Sequence, residues 1–130
     1  PTSPLRPPGL IERAIAHLET DTETDSVRTV RESPHTPYKM WQWEGKYLHP
    51  FAQIEGQESY NMPRQALPKV FCSDGVLDVV RTTTILEKNS MSGNNIKPLE
   101  IEKPFLTVDI DEPVDFLVAE AFIKYNQQNA

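Results

Sequence analysis

The chain has 130 residues, of which 38% are hydrophobic and 25% charged, with a net charge of −6; these totals predict one soluble globular domain with one ordinary core. An acidic balance repels phosphate backbones and so excludes general nucleic-acid binding, while leaving room for a local basic site that takes one nucleotide. No stretch approaches the roughly 20 apolar residues of a membrane span, so no membrane role is expected. Cys72 is the only cysteine, which removes an internal disulfide and a thiolate metal cage and leads to the expectation of a reducing, cytoplasmic setting.

The opening PTSPLRPPGL is loop chemistry and leads to the expectation that these residues are part of a longer protein. In LIERAIAHLETD, the residues Leu10, Ile11, Ala14, Ile15 and Leu18 recur at helical spacing, with Pro8 suited to the first turn. DSVRTVRE, with Val27 and Val30, predicts a strand over about 26–32. After Pro34 and Pro37, KMWQWEGKYLHPF alternates and turns at Glu44-Gly45, the pattern of a β-hairpin. Residues 52–68 read as a long polar loop, in which Pro63 and Pro68 stiffen the chain around Arg64-Gln65 without giving it regular structure. GVLDVVRTTTIL predicts a strand over about 75–81 and then a short helix. KPLEIE and FLTVDI each predict a strand. EPVDFLVAEAFIKYNQQ predicts a closing helix with Val114, Leu117, Val118, Ala121, Phe122 and Tyr125 along its apolar face. Alternating strands and helices predict an α/β sheet, with residues 39–68 inserted as an arm.

TVDIDEPVDF carries the sharpest local signal. Residues two apart on a strand face the same side, about 7 Å from each other, so Asp109 and Asp111 are expected to point together at the carboxyl end of a strand, where open α/β sheets bind ligands. Mg²⁺ takes one or two protein carboxylates, with waters and phosphates completing its shell. The same residues also have a plain structural reading: Asp111 as the N-cap of the next helix, Asp109 in solvent, and Asp115 as a first-turn carboxylate favoured by the helix dipole.

In order and at these separations, PTSPLR, SPHTPYKMW, NMPRQALPKVF with DGVLDVV, and VDIDEPVDFLVAE resemble the cytidylyltransferases that make CMP-sialic acid and related CMP-sugars. The similarity spans nearly the whole chain but only the latter, carboxyl-terminal part of such an enzyme. The glycine-rich phosphate loop of the family has no counterpart here, since Gly9, Gly45, Gly56, Gly75 and Gly93 are isolated. The resemblance implies a partial nucleotide-diphospho-sugar-transferase-like, Rossmann-like three-layer fold with a hairpin dimerisation arm. It implies transfer of CMP from CTP to a nonulosonic acid with release of pyrophosphate. By the same resemblance Asp109 and Asp111 are the catalytic Mg²⁺ carboxylates, and Thr2 and Ser3 lie beside the nucleotide. Lys39, Arg64 and Gln65 contact the sugar acid or phosphates, with the arm reaching across a homodimer. Arginine's planar fork suits either anion, and proline clamping reduces the entropy lost on binding.

Two departures from the family pattern stand out, at positions that the resemblance implies are substrate-binding: Asp74 replaces an asparagine, and Asp78 replaces an aromatic residue. A charge within VLDVV is costly unless it meets a site or water, so Asp78 is read either as lining the sugar pocket or as the exposed face of an edge strand. The former would favour a substrate other than ordinary sialic acid. The alternative to an enzyme portion is a non-catalytic dimerisation module that keeps the arm. His17, His35 and His49 lack metal spacing. Trp41 and Trp43 share a strand face, which serves a dimer contact or a stacked base. Cys72 reads as a small buried hydrophobe, and Ser26, Ser59 and Ser73 lack a His/Asp constellation for nucleophilic chemistry.

Overall fold

In the computed structural model, which describes residues 2–103 and 105–129, the chain runs α1 (Leu10–Thr20), β1 (Ser26–Glu32), β2 (Trp41–Glu44), β3 (Tyr47–Pro50), β4 (Phe71–Val80), α2 (Thr82–Leu86), β5 (Ile96–Glu100) and α3 (Pro113–Gln128), with short 3-10 turns at Pro37–Lys39, Ser59–Asn61 and Arg64–Ala66. It divides into two compact units, residues 1–31 with 73–130, and residues 32–72. The second unit encloses the segment expected to form an arm. Among the described residues no helix is long and apolar enough to cross a membrane.

The first unit is α/β, built on a small mixed sheet in the order β4-β1-β5. β1 and β5 are parallel, in register from Ser26 opposite Ile96 to Val30 opposite Glu100. β4 runs the other way: Arg81 N–H donates to Asp25 O at 3.0 Å, and Leu77 N–H donates to Thr29 Oγ1 at 3.0 Å. Leu10, Ala14 and Leu18 of α1, one turn apart, pack with Val27, Val76, Leu99 and Ile101 as the core, flanked by Leu77, Val79 and Phe105. Ile11 and Ile15 stay about 40% exposed at the margin of that face. The N-cap of α1 is Gly9 at φ 71°, so Pro8 lies one residue outside the helix rather than in its first turn. At the other end, the Arg81 guanidinium donates to Leu18 O, to Asp21 O at 3.0 Å and to Thr24 O at 2.7 Å. Leu18 O belongs to the last helical turn, whose carbonyls lack intrahelical N–H partners, and the other two lie in the segment that leads on to β1.

Three expectations are corrected. β4 begins at Phe71, not near 75, and carries Gly75 at φ 70° within it. A left-handed residue inside a strand is bulge geometry, and the Asp74 side chain supports it by accepting from Val76 N–H at 3.1 Å. FLTVDI forms no strand ladder. Its backbone is met instead by a side chain: Asn126 accepts from Leu106 N–H and donates to Leu106 O, each at 2.9 Å. That contact also sets the turn of α3 about its axis. Val118, Ala119, Phe122 and Asn126 face inward, whereas Val114 and Leu117 are 55% and 67% exposed, and Tyr125 is exposed too. The expected apolar face is therefore right at Val118 and Phe122 and wrong at Val114, Leu117, Ala121 and Tyr125.

In the second unit, β2 and β3 form the expected hairpin, with Trp41 opposite Pro50, Trp43 opposite Leu48 and Glu44 opposite Tyr47. Gly45 at φ 59° supplies the positive φ that two-residue hairpin loops require. Phe51 N–H donates to Met40 O at 2.9 Å, and the Trp41 and Tyr60 rings meet with centroids 5.0 Å apart.

Asp25, at the entry to β1, ties the first unit together. Its Oδ1 accepts from Lys88 Nζ at 2.5 Å, and its Oδ2 from Asn94 and Asn95 N–H at 2.9 and 3.1 Å. The Lys88 ammonium first, then the two amides, hold its carboxyl well below the usual carboxylate range. Gly93 passes so close that a Cβ there would lie 2.4 Å from Asp25 Cβ, at a backbone φ of +70°. Gly93→Ala is therefore expected to destabilise the chain by about 2 kcal/mol, measured by urea unfolding. A carboxylate with a lowered folded pKa stabilises above its unfolded value and loses that contribution as pH falls through the folded one. Asp25→Asn should lower the melting temperature by several degrees at neutral pH. The gap to wild type should hold down to about pH 4 and close below it, as melts over that range would show.

Candidate functional site

Three segments far apart in sequence meet in the first unit. Ser3 Oγ donates to Asp109 Oδ1 at 3.2 Å, and Ile110 N–H donates to Thr2 O at 2.7 Å. A Cβ on Gly75 would stand 3.5 Å from both Asp109 Oδ2 and Ser3 Oγ. That is ordinary contact distance, so the glycine is called for by its φ of 70°, and the β4 bulge lies beside the Ser3–Asp109 pair. Asp109 and Asp111 are both exposed, with half-buried Val108 and Ile110 alternating with them.

The helix that follows does not use Asp111 as its cap. Glu112 is the N-cap, and Asp115 Oδ2 accepts from the N–H groups of Asp111 and Glu112 at 3.0 and 2.8 Å. Asp115 serves the helix start, as its position in the first turn suggested. The Asp111 carboxylate makes no hydrogen bond among the described residues, so it is available to a ligand.

Asp74 and Asp78, the two departures from the family pattern, are both engaged. Asp74 is 8% exposed; its Oδ1 accepts from Thr29 Oγ1 at 2.6 Å and from Val76 N–H, and its enclosed Oδ2 has no hydrogen-bond partner among the described residues. Asp78 forms a two-point pair with Arg28, Nε to Oδ1 at 2.8 Å and Nη2 to Oδ2 at 3.1 Å. Arg28 also reaches Ser92 Oγ at 3.1 Å. The Asp78 carboxylate raises the guanidinium's pKa, chiefly through that hydrogen bond. The pair explains how a charge is accommodated within VLDVV: it lies across the sheet surface, about half exposed, against a fitted cation.

The basic residues singled out from the sequence belong to the second unit. Lys39 ends a 3-10 turn started by Thr36, whose carbonyl accepts from Lys39 N–H at 3.1 Å; its Nζ donates to Tyr60 O at 3.1 Å. Arg64 opens the next such turn but one and donates from Nη2 to Ser33 O at 2.9 Å. Lys39 and Arg64 line one cavity of about 220 Å³ together with Pro34, His35, Thr36 and Met40. Gln65 follows Arg64 on the same turn, exposed, and its side chain makes no hydrogen bond among the described residues.

The structure thus joins Thr2, Ser3, Gly75 and Asp109 within one unit, and Lys39 and Arg64 within the other. Several supporting residues were not singled out from the sequence. Thr29 anchors Asp74, and Arg28 with Ser92 anchors Asp78; no spacing rule links residues about 45 to 65 positions apart. Asn126 had a readable signal, since it shares a helical stripe with Ala119 and Phe122. His35 had one too, set in SPHTPYK beside Lys39.

No protein-family model matches the chain, and no curated protein matches it. Among the described residues no group of three or more His, Cys, Asp or Glu side chains stands together as a metal cage. Mg²⁺ does not require one. Two water-accessible carboxylates with hard oxygens are the protein share that this ion takes when phosphates complete its shell, so Asp109 and Asp111 fit it by chemistry.

Proposed function

We propose that the chain is the carboxyl-terminal portion of a cytidylyltransferase of the CMP-sugar synthetase type, acting in the cytoplasm on CTP and a nonulosonic acid. The observation that carries this reading is the meeting of Ser3, Gly75 and Asp109. Each belongs to a different motif of the resemblance, and a chance likeness of short motifs gives no reason for them to converge. In this reading the fold is a portion of the family's three-layer architecture, and residues 39–68 are its dimerisation and substrate arm.

The reaction joins the anomeric hydroxyl of the sugar acid to the α-phosphorus of CTP and breaks the bond to pyrophosphate. Phosphoryl transfer of this kind depends on positioning and on neutralising charge. Asp109 and Asp111 would hold Mg²⁺, which when bound supplies charge neutralisation at the triphosphate oxygens. Ser3 orients Asp109 through its hydroxyl, and the Gly75 bulge lies beside that contact. Thr2 and Ser3 border the nucleotide. Lys39, Arg64 and Gln65 take the sugar carboxylate or phosphate oxygens. Asp74, enclosed beneath the bulge, acts by fixing the shape of the strand. Asp78 reaches a sugar substituent only alongside its Arg28 partner.

The 130 residues contain no glycine-rich phosphate loop, so by themselves they should release little pyrophosphate from CTP, Mg²⁺ and a nonulosonic acid. The metal assignment has a test independent of turnover. Mn²⁺ added in place of Mg²⁺ should broaden the amide NMR signals of Ser3, Gly75 and Ile110 first, and Asp109→Ala or Asp111→Ala should raise the concentration needed by about tenfold or more. Broadening that is spread over the acidic surface, or is unchanged in both variants, would remove these residues from the metal site.

A second reading, a non-catalytic dimerisation module, is favoured by the hairpin. Its face carries Trp41, Trp43 and Leu48 at 46%, 75% and 52% exposure, and a two-stranded hairpin is marginal by itself. Such a face serves dimerisation under either reading. Trp43→Ser should shift the chain from dimer to monomer in light scattering at micromolar concentration, because large aromatic residues dominate interface energetics; a monomeric wild type would contradict the dimer.

A further inference from the structure

Residues 32–72 contain four Lys/Arg and four Glu, so the chain's net charge of −6 lies wholly outside them. Within this unit the charges are segregated. Glu32 pairs with Lys69 at 3.6 Å, and Glu44 with His49 at 3.6 Å; Glu58 accepts from Asn61 Nδ2 at 2.9 Å. No glutamate, Glu55 included, lines the cavity formed by Pro34, His35, Thr36, Lys39, Met40 and Arg64. Its ionisable groups are two permanent cations and one imidazole.

The backbone around these groups is tied to a single residue. Ser33 O accepts from Arg64 Nη2. Ser33 Oγ donates to His35 O at 2.6 Å and accepts from His35 N–H at 3.2 Å. Ser33 N–H is itself held by Val70 O at 2.9 Å. One nitrogen of the Arg64 fork is thus committed to a carbonyl, and no described residue takes the others. His35 is followed at once by buried Thr36, which starts the turn carrying Lys39. The three side chains come from separate points of the chain but share this pinned backbone, an arrangement that limits the ordering cost of gripping an anion.

We propose that His35 is a third, titratable wall of this anion cavity, so that the capture of a sugar carboxylate tightens as the imidazole takes up a proton. This rests on the reading of Lys39 and Arg64 as sugar-acid contacts and adds to it a specificity-determining residue. Lysine and arginine keep their charge between about pH 5 and pH 8, a sugar carboxylate stays ionised throughout, and histidine is the side chain that changes charge in that interval. Acidification therefore adds attraction at His35 and alters nothing else that lines the cavity.

The test is an NMR titration of the 130-residue chain with N-acetylneuraminate and, separately, with its uncharged methyl ester, at about pH 5.5 and about pH 8. Wild type should bind the acid about five- to tenfold more tightly at the lower pH, with shifts centred on Thr36, Lys39 and Arg64, and should not bind the ester. His35→Gln should flatten the pH dependence, and Lys39→Met should weaken binding at both pH values. Equal affinity at both pH values, or a pH dependence that survives in His35→Gln, overturns the role of His35 and leaves the Asp109–Asp111 assignment standing. Absence of saturable binding at either pH overturns the cavity as a carboxylate site, while the Mn²⁺ experiment separately decides the metal assignment.

Discussion

The buried carboxylate of Asp25 is the constraint around which the first unit is organised. It sits where β1 begins, and its partners are the ammonium of Lys88 and two successive backbone amides of the loop that leads into β5. A buried charge is tolerated only when its hydrogen-bonding capacity is met, so the loop has little freedom to depart from one path. Gly93 is the residue that makes this path possible. Arg81 does complementary work on the other side of the same junction, closing the end of α1 with its guanidinium while its own backbone N–H binds Asp25 O. The parallel register of β1 and β5 follows from this junction, and the core residues Leu10, Val27 and Leu99 are brought together by it.

The candidate site grows out of the opposite kind of structure, an irregular one. A bulge at Gly75, an opening loop at Thr2-Ser3 and a segment without a ladder at 105–110 each lack the regular backbone pairing that would make them rigid by themselves. Their order comes from single contacts: Ser3 to Asp109, Thr2 to Ile110, Asn126 to Leu106. Ligand sites commonly combine a firm scaffold with such loops, and here the scaffold is the sheet carrying Asp74 on its bulge. The second unit repeats the principle with prolines and 3-10 turns, holding Lys39 and Arg64 by carbonyls of the same unit.

The helices, the hairpin and two of the three sheet strands were legible because local periodicity and turn residues decide them. α1 begins at Leu10 and β1 at Ser26, as the apolar spacing indicates. What was not legible depends on partners distant in sequence. FLTVDI has the composition of a strand, yet whether it joins a sheet depends on what lies beside it, and here a side-chain amide does. The start of β4 was missed because Asp74-Gly75 reads as a break in one dimension and is a bulge in three. The inward face of α3 was misjudged because hydrophobicity ranks Leu117 above Asn126, whereas the backbone of Leu106 needs an amide. Within the site, the exposure of Asp109 and Asp111 beside half-buried Val108 and Ile110 was readable from alternation. The arginine opposite Asp78 was not, since nothing local connects positions 28 and 78.

The amide of Asn126 has a mechanical consequence. It grips the chain three residues before Asp109, while the acidic start of the same helix, through Asp115, grips the backbone just after it. The carboxylate segment is therefore clamped at both ends to one rigid rod. A rotation or axial slip of α3 would carry Asp109 and Asp111 along with it, so the phase of that helix and the placement of its two acids behave as a single degree of freedom.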